Sequence, residues 1–149
     1  MRDMLDGVNC INVYSKGSTA LGRWMSNFTR EPIFTCDGRF ESIEGYWYWL
    51  GTQDEHLRDL WGFEAKRYGR SVPSRFMLRE DDFRRRIRAA IIAKCRCNSA
   101  MVRLLKSSTM PFAHFYVYGG QQIPAGNRWV IEIWEEIRSR LKTEGRVGP

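Results

Sequence analysis

No stretch of this chain is apolar for the roughly 20 residues that a membrane-spanning helix needs. Its first residues, Met1-Arg2-Asp3-Met4, do not lead into the apolar core of a secretion signal. Both absences argue against membrane insertion and export, so a cytoplasmic protein is expected, with no membrane partner. Histidine is scarce, with only His56 and His114. The cysteines are Cys10, Cys36, Cys95 and Cys97, and the single C-x-C of Cys95-Arg96-Cys97 has no second close pair to complete a structural zinc site. No metal is therefore expected, and the four cysteines read as reduced thiols, mostly packed in the core. Internal repeats and a separating linker are also missing, which implies one domain over residues 1–149 with a tail at 143–149. From Phe83 through Ile131 there is no Asp or Glu at all. With a formal charge of +7, that one-sided stretch should create a positive surface suited to a polyanion.

A hydrophobic content of 43%, with aromatics at 13%, supports a folded globule with a real core. Short strands are predicted over Cys10 to Tyr14 and Pro32 to Cys36, the latter followed by an Asp37-Gly38 hairpin signal. Ser42 is a candidate N-cap for an aromatic helix reaching about Thr52. Further helices are expected from Asp54 through Trp61, and from Phe63 to Tyr68 with Gly69 as terminator. Another begins at Glu80-Asp81-Asp82, where acids suit the helix dipole, and reaches about Cys97. A short helix over Ser99 to Leu105 precedes a strand from His114 to Tyr118, which ends at Gly119-Gly120. A polar loop covers Gln121 to Gly126, and Asn127 caps a last helix carrying Val130, Ile133, Trp134, Ile137 and Leu141 at helical spacing. The pattern is a helix-rich α+β fold with a few short strands.

The aromatic helix is the most informative segment. At helical spacing Ile43, Tyr46, Trp47 and Leu50 share a face, while Glu44 and Tyr48 lie one turn apart on its flank. A lone carboxylate against aromatic surface can bind a sugar or base, and such a setting raises a carboxylate pKa for proton transfer. The plainer alternative is a core helix whose Glu faces water. Asn27 and Phe28 could meet a base through an amide and a ring face, or could equally be a turn Asn and a core Phe. Lys66 and Arg70 stand four residues apart, so one helical face can present both to a phosphate, or merely to solvent. Arg84, Arg85 and Arg88 occupy the outward arc of their helix, as a nucleic-acid surface or a solvated face.

Taken together, Arg23-Trp24-Met25-Ser26-Asn27-Phe28, Ser42-Ile43-Glu44-Gly45-Tyr46, Ala65-Lys66-Arg67-Tyr68-Gly69-Arg70, Tyr116-Val117-Tyr118-Gly119-Gly120 and Gly126-Asn127-Arg128-Trp129 occur in an order that resembles the NADAR superfamily of YbiA-like domains. The resemblance runs from about Ile11 to Leu141, and its aromatic-rich last motifs are most similar to the small members carried by tailed bacteriophages. It implies a hydrolase of N-glycosidic bonds needing no cofactor. Its substrate would be ADP-ribosylated DNA, with ADP-ribose removed from guanine, or a phosphoribosyl pyrimidine, and in a phage the activity would counter a host defence. The resemblance also implies catalytic roles for Glu44 and Lys66. Ligand contacts would come from Arg23, Trp24, Asn27, Phe28, Tyr48, Arg70, His114, Tyr116, Tyr118, Gly119, Asn127 and Trp129. Asn27, Glu44, Lys66 and Tyr118 are expected to line one cleft. The chain departs from the superfamily's D-x-x-W-G pattern: His114 to Gly119 contains no acid, and the next one is Glu132. A second reading therefore stands beside the enzyme, a non-catalytic basic module that binds ADP-ribose, nucleic acid or a host protein.

Overall fold

A computed structural model of the chain describes residues 3 to 148. Met1 and Arg2, part of the N-terminus read for export signals, and Pro149, the end of the tail, lie outside the described residues. In chain order the elements are β1 (Ile11–Asn12), α1 (Ala20–Met25), β2 (Ile33–Thr35), β3 (Gly38–Phe40), α2 (Ile43–Thr52), a 3₁₀ turn (Glu55–Asp59), α3 (Gly62–Ser71), α4 (Glu80–Cys97), α5 (Ser99–Ser107), β4 (Phe112–Ala113), β5 (Phe115–Tyr118), β6 (Gln121–Pro124) and α6 (Arg128–Glu144). The fold is helix-rich α+β with a few short strands. No helix among the described residues is long and apolar enough to cross a membrane. The chain divides into two compact units, Met1–Ser26 with Ser99–Pro149, and Asn27–Asn98.

In the first unit β1 pairs in parallel with β4, and β5 pairs antiparallel with β6. The buried Asn12 amide joins the two ladders, donating to Phe115 O at 2.9 Å and accepting from Phe115 N at 2.9 Å. A side chain thus supplies the partners that a neighbouring strand would otherwise give. Helix α1, which the sequence reading passed over, starts at Thr19, whose hydroxyl accepts from Gly22 N at 3.0 Å. Gly22 is required there, because a Cβ would lie 2.2 Å from Asn12 O. The core is built from Ile131, Trp134, Ile137 and Leu141 of α6 with Met101 and Leu105 of α5, all buried. Residues 121–124, expected as loop, form β6. Gly119 and Gly120 adopt φ of 55° and 78°, the left-handed pair that a tight two-residue hairpin needs, so the strand turns back instead of ending. Asn127 also differs from expectation, because its side chain caps nothing; its φ is 61° and its carbonyl accepts from Val130 N at 3.0 Å. Helix α6 reaches Glu144, so the tail expected from 143 starts at Gly145.

In the second unit β2 and β3 form the hairpin announced by Asp37-Gly38. Ser42 caps α2, accepting from Gly45 N at 3.0 Å and donating to Leu60 O at 2.8 Å. Trp49, rather than Trp47, completes the buried face with Ile43, Tyr46 and Leu50. Trp49 lies 5.4 Å from Phe40 between ring centroids, whereas the half-buried Trp47 meets Phe83 edge-on at 4.8 Å. Helix α4 is tied to the hairpin by Arg86, which donates to Asp37 at 2.6 Å, and Tyr46 donates to the same carboxylate oxygen at 2.6 Å. These donors hold Asp37 below its usual range despite the opposing effect of burial. Lys94 is fully buried; burial lowers it to about 8, against the attraction of Glu31. All four cysteines are free, but only Cys10 and Cys95 are buried; Cys36 and Cys97 are exposed, which corrects the expectation of a mostly buried set.

Candidate active site

The second unit brings Asn27, Phe28, Glu44, Tyr48, Lys66 and Arg70 into one neighbourhood by way of the start of α2 and one face of α3. Glu44 N is among the donors that a helix's first turn leaves unpaired, and it donates to Asn27 O at 3.0 Å. That bond brings the Asn27 backbone to the first turn of α2, next to Glu44. The Oδ1 of Asn27 is buried and accepts no hydrogen bond. An unfilled buried acceptor costs about 1–3 kcal/mol, so a ligand N–H or O–H would relieve it. Phe28 is anchored from the other side, where Gly62, at φ of 65°, donates its N–H to Phe28 O at 2.8 Å. The Lys66 ammonium lies 5.9 Å from the centre of the Phe28 ring.

Helix α3 does not stop at Gly69 as the sequence suggested but continues to Ser71. The reason is packing. A Cβ on Gly69 would lie 2.3 Å from Tyr48 Cγ, so this glycine lets α2 and α3 approach, and the helix carries on to hold Arg70 one turn beyond Lys66. The Arg70 charge favours the ionised form of Tyr48. The phenol is nonetheless pushed above its ordinary value, first by burial and then by the Glu44 charge.

Glu44 is half-buried, and its carboxyl is raised to about 7 because burial penalises the charged form. Lys66 and Arg70 pull in the opposite direction without cancelling that penalty. The group therefore changes charge near neutrality, the range in which a carboxylate can both take and give a proton. A stability consequence follows. The folded state holds this proton between the ordinary value of 4.5 and about 7, where the unfolded chain has released it. Stability from this group is thus intact below 4.5, declines as pH rises, and its loss is complete above about 7. Glu44→Gln should leave unfolding free energy unchanged at low pH and raise it by on the order of 3 kcal/mol at pH 8. Denaturant titrations at the two ends of that range check this, and a gain independent of pH would contradict a raised carboxyl.

The other proposed contacts belong to the first unit. Arg23 and Trp24 sit on α1, with Arg23 donating to Gly17 O at 2.8 Å. His114, which precedes β5 rather than starting it, and Tyr116 and Tyr118 on β5 form an aromatic row, with successive ring centroids 6.0 and 6.2 Å apart. Burial lowers His114, which is neutral at pH 7, although a backbone contact with Gly126 opposes the shift. Gly119 turns the hairpin, Asn127 precedes α6, and Trp129 is half-buried in its first turn. Glu132, the nearest acid following the strand in sequence, is exposed on α6.

No protein-family model matches the sequence, and no curated protein matches it. Among solved structures, the chain is similar to the NMR structure of the E. coli protein YbiA, with 22% sequence identity and a TM-score of 0.66 over 92% of this chain and 87% of that one. The fold is YbiA-like. Within this YbiA-like fold lies a pocket that the sequence reading did not single out. It has a volume of about 540 Å³ and is lined by Trp47, Tyr48, Arg70, Phe76, Met77 and Phe83 among others. Tyr48 and Arg70 are common to it and to the Glu44 neighbourhood. Its one sequence signal is the apolar run Phe76-Met77-Leu78 between Arg75 and Arg79, in a segment with no helical or strand pattern. Of the arginines expected on the surface, Arg84 and Arg85 are exposed and paired with Glu80 and Asp82, each at 2.8 Å. Arg88 is half-buried rather than largely exposed.

Proposed function

We propose that this protein is an N-glycosidase acting on a bond between ribose and a nucleobase, and that it removes ADP-ribose from guanine in DNA. The observation that supports this best is the Glu44 carboxyl, poised near neutral pH within reach of the Lys66 and Arg70 charges on a turn whose backbone is bonded to Asn27. In the proposed reaction the bond between the ribose anomeric carbon and the base nitrogen breaks, and its electron pair leaves with the base. The cation-like sugar is stabilised by the Glu44 carboxylate, which then takes a proton from the water attacking the anomeric carbon. Lys66 and Arg70 hold the phosphates, and Asn27 accepts from a ribose hydroxyl. Solvent protonates the departing base. In an infected bacterial cytoplasm the activity would erase a DNA modification laid down as defence.

The exposed arginines of α4 would contribute phosphate contacts to the DNA strand. Binding should then weaken steeply with salt, and Arg85→Ala should reduce the slope of log K against log salt by about 1. An affinity that is flat across salt would remove nucleic acid from the list of partners.

The acid-free stretch from His114 to Tyr118 and the neutrality of His114 favour the second reading, a module that binds ADP-ribose without cleaving it. The deciding experiment is release of ADP-ribose from modified single-stranded DNA, measured beside calorimetric binding of free ADP-ribose. Binding without release, under conditions where a control enzyme cleaves, would leave only the module.

A further inference from the structure

The pocket beside Tyr48 and Arg70 carries an inference that rests on the ribosyl-site reading above and extends it. Its outer wall is the segment between α3 and α4. Arg75 N and Phe76 N both donate to Gly51 O, at 2.8 and 3.0 Å, which pins the segment over the last turn of α2. Despite that anchoring, Phe76 is 56% exposed and Met77 is 97% exposed. Two large apolar side chains held against water at the rim of a preformed cavity mark a surface awaiting an apolar partner. The opposite wall is aromatic, with Trp47 and Phe83 packed edge to face at 4.8 Å. The volume of about 540 Å³ lies within the range that holds small ligands. Thr52, Ser74 and Glu80 add polar groups to the lining beside Tyr48 and Arg70.

One end of the pocket is set by Arg70, the same side chain that acts on Glu44 and Tyr48. We infer that the pocket takes a nucleobase joined through phosphate to the ribosyl group at Glu44. Arg70 meets the phosphate at the junction, and the base lies among Trp47, Phe83, Phe76 and Met77. A flat ring with polar edges fits aromatic walls and a softly polarisable methionine, and stacking tolerates any base. Two sources share this chemistry: the adenine of ADP-ribose, and a base flanking the reacting nucleotide in a DNA strand.

Calorimetry with two matched ligand pairs distinguishes the sources. The first pair is ADP-ribose and its analogue without adenine, two riboses joined through pyrophosphate; the second is a single-stranded DNA trinucleotide and its counterpart with abasic flanks. In one pair the base-bearing ligand should bind about 5- to 150-fold more tightly, the range for stacking one base. The double variant Phe76→Ala, Met77→Ala should erase that excess and leave the base-less ligand's Kd unchanged. Because both side chains are exposed, its thermal midpoint should match the parent's, and Phe83→Leu provides a second wall to test. No excess in either pair, or an excess that survives both variants, overturns the inference. The ribosyl site is read separately through Lys66→Met, which should weaken ribose 5-phosphate. Binding of ribose 5-phosphate through Lys66 with no base preference sinks the pocket and spares the proposed activity. A base preference lost in the loop variant, in a protein that cleaves nothing, does the reverse.

Discussion

Glu44→Gln should lower the rate of ribosyl release by roughly two orders of magnitude or more, while ADP-ribose binds almost as before. The amide keeps the shape of the carboxyl and leaves intact the Glu44 N bond to Asn27 O, which is a backbone contact. What it loses is the negative charge that faces the developing sugar cation and the capacity to accept the proton of water. A loss confined to kcat therefore identifies a group that acts in the transition state. Parallel losses in binding and rate would reduce Glu44 to a ground-state anchor. In the unmutated protein kcat/KM should rise with pH through about 7, because the ionised carboxylate is the active form and burial holds its titration there. A rate that falls across the same range would assign Glu44 the opposite role, that of an acid.

Gly69→Ala should have the largest effect among substitutions that leave the polar site residues in place. The added Cβ would stand 2.3 Å from Tyr48 Cγ and 2.5 Å from Tyr48 Cβ, the stem of the side chain rather than its mobile end. Overpacking of this kind costs about 1–3 kcal/mol, more than the roughly 1 kcal/mol that alanine gains over glycine inside a helix. The variant should be less stable in denaturant titration and should release ADP-ribose more slowly, because Tyr48 and Arg70 are displaced together. The cause can be isolated in a Tyr48→Ala background, where the same substitution should become neutral or stabilising. An equal penalty in both backgrounds would rule out the Tyr48 contact as the reason for the glycine.

The Tyr48–Gly69 contact also shows where reading by residue pattern stops. A glycine after Tyr68 looks like a helix end, and only the approach of α2 reveals that its missing side chain is filled by a ring. Gln121 to Pro124 likewise looks like loop by composition, and becomes a strand because two left-handed glycines fold it onto β5. Trp47 and Trp49 are equivalent by propensity. The position of Phe40 decides that Trp49 is buried, and Phe83 leaves Trp47 on the pocket wall.

By itself the sequence determined the helix-rich α+β class, the Ser42 cap and extent of α2, the Asp37-Gly38 hairpin and the start of α4 at its acids. These depend on neighbours within a few residues, where hydrogen-bonding capacity and periodicity act directly. It also singled out Glu44 and Tyr48 as a pair on one flank. Tertiary structure alone decided how charge is distributed. The acid-free stretch from Phe83 to Ile131 does not turn into an uninterrupted positive face, because acids outside it reach back: Glu80 and Asp82 to Arg84 and Arg85, Asp37 to Arg86, and Glu135 to Arg128. Within that stretch Lys94 is buried and feels Glu31 from elsewhere in the chain. The raised Glu44 carboxyl is likewise a tertiary effect. Two nearby cations would lower it in water, and burial, which no local sequence pattern encodes, outweighs both.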